Sequence, residues 1–178
     1  MGLRAYGLAV VTAAAALWMM SGTQREKPVL AAAEPEPVRA LEAEVAANPN
    51  DADGVRQLAQ AYLDARQPGL AVALVEEAAP GVKGDVRVQH VYARALVDEG
   101  RNSEALAVEK GVVAQCRPVA EGSSAAPGCD SVIFASAMRR ADILSELVSL
   151  GVQDSQAHPE ASLVAYQNAT REARVMVQ

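Results

Sequence analysis

Two cysteines and two histidines are the residues of this chain best suited to chemistry, and their spacing limits what that chemistry can be. Cys116 and Cys129 flank Arg117 to Gly128, a segment rich in Pro, Gly, Ser and Ala. A zinc site needs about four ligands, and His90 and His158 are remote from the cysteines in sequence. A Cys-x-x-Cys redox pair is absent as well. In an oxidising compartment the two cysteines are expected to form a structural disulfide, stabilising the fold by ~3 kcal/mol through loop closure. In a reducing compartment they would be two unconnected thiols. His90 falls in a helical pattern and reads as a solvated side chain, while His158 precedes Pro159 in a loop or at a helix start. Asn168-Ala169-Thr170 matches a glycosylation sequon but sits inside another helical pattern. There is no Gly-rich phosphate loop, no His-Glu-x-x-His helix and no nucleophile-elbow serine. The expectation is a protein that is not an enzyme, with no catalytic residue, metal or cofactor.

Composition points to helices that would hold other groups in place. Half of the 178 residues are apolar, yet Phe, Trp and Tyr are scarce and alanine carries much of the count. Alanine is the best helix former and lets helices approach closely, so an all-α fold is expected. The formal net charge of −6 argues against nucleic-acid binding, which needs a basic face to displace counterions. No run of lysine or arginine and no aromatic stacking platform offsets that charge.

The N-terminal part stands outside the fold argument. Arg4 precedes twenty residues without a formal charge, and Ala5 to Met20 is almost wholly apolar. Residues 1–23 therefore read as a signal peptide or a transmembrane anchor. A small-residue cleavage site, Ala31-Ala32-Ala33, lies more than ten residues beyond Met20, which favours a retained anchor. A short charged head of this kind usually stays in the cytoplasm, placing the rest of the chain on the periplasmic side of a cell envelope. If the segment is cleaved, the protein would be secreted. Residues 24–37 hold three prolines and read as a semi-extended Pro/Ala-rich linker.

From residue 38 the apolar residues follow a helical period. Leu41 and Val45 give a first helix over about 38–47, ended at Asn48-Pro49. Asp51 or Asp53 can cap a second, with Val55, Leu58, Ala59 and Tyr62 on its buried face. Gln67-Pro68-Gly69 is the expected turn, followed by Ala71, Leu74, Val75 and Ala78, with Pro80-Gly81 as the stop. The pattern then starts again near Gly84-Asp85. Val88, Val91, Tyr92, Ala95 and Leu96 form one face, Gly100 occupies a left-handed cap, and Asn102 or Ser103 opens a partner helix. That helix presents Ala105, Leu106, Val108 and Val112-Val113 and ends at Cys116-Arg117-Pro118. Leu58-Ala59-Gln60-Ala61-Tyr62 lies 34 positions before Tyr92-Ala93-Arg94-Ala95-Leu96, so the unit repeats at about 51–84 and 85–117. After the cysteine loop, 116–129, a long amphipathic helix spans Asp130 to Leu150, with Ile133, Ala137, Ile143, Leu144 and Leu147 apolar. Pro159 opens a last helix with Leu163, Tyr166, Ala169 and Ala173.

A 34-residue helix–turn–helix period, with Ala59, Tyr62, Ala71 and Ala78 in the first unit and Ala93, Gly100 and Ala105 in the second, resembles the tetratricopeptide repeat. In the second unit Leu96 replaces the pattern's aromatic and Val112 its late alanine. The resemblance covers about residues 38–115. It implies a stack of antiparallel helix pairs over 38–178, with 130–178 as a stretched C-terminal cap. It also implies a binding groove lined by Arg56, Gln60, Leu63 and Asp64 of the first unit and Arg87, His90, Arg94 and Val97 of the second. Arginines can grip a carboxylate in a two-pronged way, so the implied partner is a protein or peptide offering an acidic segment or a C-terminal carboxylate. The alternative is a solvated face, with arginines paired along their own helix as Arg94 with Asp98. The stretch Leu41 to Gly54 is also similar to the repeat entry of cytochrome c maturation proteins, which hold apocytochrome. Expected function is therefore protein binding in the envelope, the alternative being a structural part of an envelope complex that uses its final two helices.

Overall fold

The computed structural model describes residues 36–120 and 126–175, which lie in the unit Glu36–Gln178. The expected anchor and nearly all of the linker lie outside the described residues. Among those described there are eight helices and no strand. They are α1 (Glu36–Ala47), α2 (Ala52–Asp64), α3 (Pro68–Glu77), α4 (Pro80–Lys83), α5 (Val86–Asp98), α6 (Asn102–Ala120), α7 (Ser131–Ser149) and α8 (Pro159–Val175).

Three of these helices start and stop in the same way. The side chains of Asp51, Asp85 and Asp130 accept hydrogen bonds from the free N–H groups that open α2, α5 and α7. At the other end, Gln67 N–H reaches Tyr62 O at 2.8 Å, Arg101 N–H reaches Leu96 O at 2.8 Å and Val152 N–H reaches Leu147 O at 2.9 Å. The residue before each donor turns left-handed, with φ of 61° at Arg66, 73° at Gly100 and 74° at Gly151. Residues 66 and 100 are 34 apart, so the sequence repeat returns as a repeated backbone turn. The first turn is built on Ala65 to Gln67, and Pro68 is already the first residue of α3, where a missing N–H costs nothing. Pro80-Gly81 does not simply end α3, because Pro80 opens the short α4. Nor does α6 stop at Pro118: it runs to Ala120, since a proline in a final turn forfeits only one ladder bond.

Packing follows chain order. α2 lies on α3, α5 on α6 and α7 on α8, while α2 touches α5 and α5 touches α7. The main core gathers Val55, Leu58, Ala59 and Tyr62 of α2 with Ala71 and Val75 of α3, Ala95 and Leu96 of α5, and Leu144 and Leu147 of α7. A second core surrounds the Cys116–Cys129 disulfide, where Val86, Val112, Cys116 and Ala137 are buried and Ile133 and Phe134 pack alongside. The connection from α7 to α8 folds back onto the α5–α6 turn. Asn102, fully buried, donates from Nδ2 to Val152 O at 3.1 Å, and its N–H reaches Gln153 O at 3.2 Å.

The last helix meets expectation in part. Ala169 of α8 is buried together with Ala165, which the pattern did not single out, whereas Leu163 and Tyr166 are 58% and 50% exposed. Only α7 supports α8 among the described elements. The small side chains allow that close approach, and the large ones are left outside. Val91 and Tyr92 are likewise only half-buried.

Candidate functional site

The helices α2 and α5 carry the residues expected to bind a partner, and α7 touches α5 beside them. Asp53 is the pivot of the first group. It accepts from Arg56 Nε at 3.0 Å and Nη2 at 2.8 Å, and lies 3.7 Å from Arg87 Nη1 across the α2–α5 contact. Arg87 also holds Asp85, with Nη2 at 3.3 Å from Oδ2. The Arg56 hydrogen bonds hold the Asp53 carboxyl below its ordinary value, and the Asp85 contact raises the Arg87 guanidinium. The cysteine loop closes on this group: a Cβ on Gly128, whose φ is +86°, would lie 3.1 Å from Arg87 Nε. Arg56 and Arg87 thus carry carboxylates from their own chain.

One turn further along, Gln60 donates to Asp64 Oδ1 at 2.8 Å and accepts from Arg94 Nη1 at 3.5 Å. Arg94 does not pair with Asp98; among the described residues no carboxylate stands within 4.0 Å of it. Asp53 with Arg87 and Gln60 with Arg94 are both pairs of residues 34 apart, so each rung joins equivalent positions of the two units. Leu63, expected on this face, is 96% buried because it turns into the main core, and only its edge borders a recess. Val97, at the equivalent position, is half-buried.

His90 is not the solvated side chain its pattern suggests. Its Nδ1 is 3.0 Å from the Glu109 carboxylate of α6 and its Nε2 is 3.1 Å from Ser136 Oγ of α7. Arg140 Nη1 binds Glu109 and donates to His90 O at 3.0 Å. With Nδ1–H donating to the carboxylate, Nε2 accepts from the serine hydroxyl. Carboxylate, imidazole and hydroxyl in series suit proton transfer. Ser136, however, lies beyond the first turn of α7, where backbone N–H groups are spent in the helix ladder. The arrangement joins three helices around a fully buried Glu109. Sequence reading missed Glu109, Ser136 and Arg140, although a glutamate on the Leu106–Val112–Cys116 stripe was a visible signal.

Two cavities meet at Arg94. One, of about 600 Å³, is bordered by Asp64, Arg66, Asp98 and Gln156. The other, of about 260 Å³, lies between α5, α7 and α8, with Val97, Ile143, Leu144 and Leu147 as its apolar wall. No group of three or more potential metal ligands occurs among the described residues, and no described helix is long and apolar enough to cross a membrane. No protein family, no curated protein and no solved structure matches the chain.

Proposed function

We propose that this chain is a tetratricopeptide-like scaffold that binds a protein or peptide on the face formed by α2, α5 and α7. The observation that carries the reading is the 34-residue recurrence, expressed twice over: in the left-handed turn at Arg66 and Gly100 and in the cross-unit rungs Asp53–Arg87 and Gln60–Arg94. A repeated unit that buries its apolar face only against neighbours leaves a continuous outer surface, and such surfaces serve recognition. Residues 130–178 act as the end of this stack. The N-terminal apolar segment holds the scaffold at an envelope membrane on its periplasmic side or, if cleaved, releases it. A disulfide suits that oxidising location. The full chain carrying a photocrosslinker at Gln60 tests the reading in cells: a partner should be captured there and not from Ala107 on the exposed side of α6.

A second reading rests on α8. Leu163, Val164 and Tyr166 leave apolar area in solvent at the end of the stack, as expected of a structural component of an envelope complex. Capture from Leu163 alone would favour it. Holding an apocytochrome during cytochrome c maturation is a narrower form of the first reading, supported by the entry sequence Leu41 to Gly54.

A further inference from the structure

Resting on the scaffold reading, we propose that the recess between α5, α7 and α8 is the specificity pocket of the binding face, taking an apolar side chain of a peptide whose neighbouring carboxylate pairs with Arg94. Three observations support this. The recess is a defined cavity of about 260 Å³, and its wall of Val97, Ile143, Leu144 and Leu147 offers apolar contact to an inserted side chain. Among the described residues, the charged ones that line it are Arg94 and Arg140. Their roles differ: Arg140 is spent on the buried Glu109, whereas Arg94 holds only the Gln60 amide oxygen, at 3.5 Å.

Arg56 and Arg87, offered by the sequence as equivalent grips, are taken by Asp53 and Asp85. Of the three arginines offered as grips, the one without a carboxylate among the described residues is therefore Arg94, which lines the apolar recess. Tyr166 lines the recess as well and adds aromatic area, while Ser155 and Ser162 are its uncharged polar members. A basic peptide would bring like charge to Arg94, and a wholly polar one would leave the apolar wall wet. The chemistry fitted to this site is one apolar side chain beside one carboxylate, with the carboxylate supplied by Asp, Glu or a chain end.

The test uses the full chain and short fluorescein-labelled peptides in a Gly/Ala host, read by anisotropy. Neighbouring positions are Leu or Ser, and Glu or Gln, in all combinations; one further peptide carries Leu as its free C-terminal residue. The Leu–Glu or the C-terminal Leu peptide should bind tightest, which also tells the two carboxylate sources apart. Arg94→Glu should weaken that peptide at least tenfold and erase the preference for Glu over Gln. Tyr166→Ser, at an exposed position, should reduce the preference for Leu over Ser while leaving the charge preference in place. No saturable binding by any peptide, or preferences unchanged by Arg94→Glu, would overturn the proposal. If Arg94→Glu leaves the in-cell crosslink from Gln60 intact, the scaffold reading stands and this pocket assignment alone falls.

Discussion

Tyr92 shows how a single side chain on a repeat helix acquires a property that its neighbours in sequence do not suggest. It is half-buried, and its hydroxyl donates to Glu76 Oε1 at 3.0 Å. Burial and the adjacent carboxylate both oppose ionisation, pushing the phenol from 10.0 up to about 12. The unfolded chain therefore releases this proton at lower pH than the folded one. Its stabilising effect is complete below pH 10 and is lost as pH rises from about 10 to about 12. Urea unfolding midpoints across that window should fall more steeply for the native chain than for Tyr92→Phe; parallel curves would refute the coupling. Residue-scale legibility was uneven. The core positions Val55, Leu58, Ala59, Ala95 and Leu96 followed from helical period alone. The partners of His90 did not, because Glu109 and Ser136 come from helices 19 and 46 residues away and no local pattern encodes that meeting. Leu63, expected on the binding face, is almost wholly buried and only borders the recess beside Arg94, because α2 turns further into the core than the repeat pattern implies.

At the scale of elements, the caps carry the repeat. The first helix of each unit starts on an aspartate and is followed by a left-handed residue, but the first unit places Arg66 where the second has Gly100. A residue with a Cβ pays ~1 kcal/mol or more for that conformation. Arg66→Gly should therefore raise stability by up to about 1 kcal/mol. Gly100→Ala should lower it by about 1–2 kcal/mol, because the new Cβ meets a strained φ and would lie 3.0 Å from Asp154 Cβ. Chemical denaturation measures both, and equal effects of the two substitutions would mean that the turns are not equivalent. The sequence announced Gly100 because glycine is the usual residue there. Arg66 was invisible, since nothing in an arginine signals a positive φ, and the turn was read two residues late at Gln67-Pro68-Gly69. For α8 the helical period was right and the face only partly so. Ala169 is buried as its period suggests, but with α7 the one described helix against it, Ala165 takes the contact where Leu163 and Tyr166 stay exposed.

Across the molecule, the disulfide links the cysteine loop, the second core and the binding face. It fastens Cys129 to α6 beside Val86, Val112 and Ala137, and the same loop brings Gly128 against Arg87. Replacing both cysteines by serine should cost ~3 kcal/mol of stability, the value for closing a loop of this length. A melting temperature unchanged by reduction would contradict that role. The order of helices and the all-α class were legible from alanine content and apolar period. The folding-back of the α7–α8 connection onto Asn102 was not, because it depends on a buried amide meeting a backbone carbonyl 50 residues away. The central claim concerns one face of the whole chain, and crosslinking from the full-length protein in cells tests it most directly. Photocrosslinkers at Gln60, Asp64, Ala107 and Leu163 sample the α2–α5–α7 face, the exposed side of α6 and the open side of α8. A common protein should be captured from Gln60 and Asp64 and be absent at Ala107; capture from Leu163 or Ala107 with none from the other two would contradict the binding face.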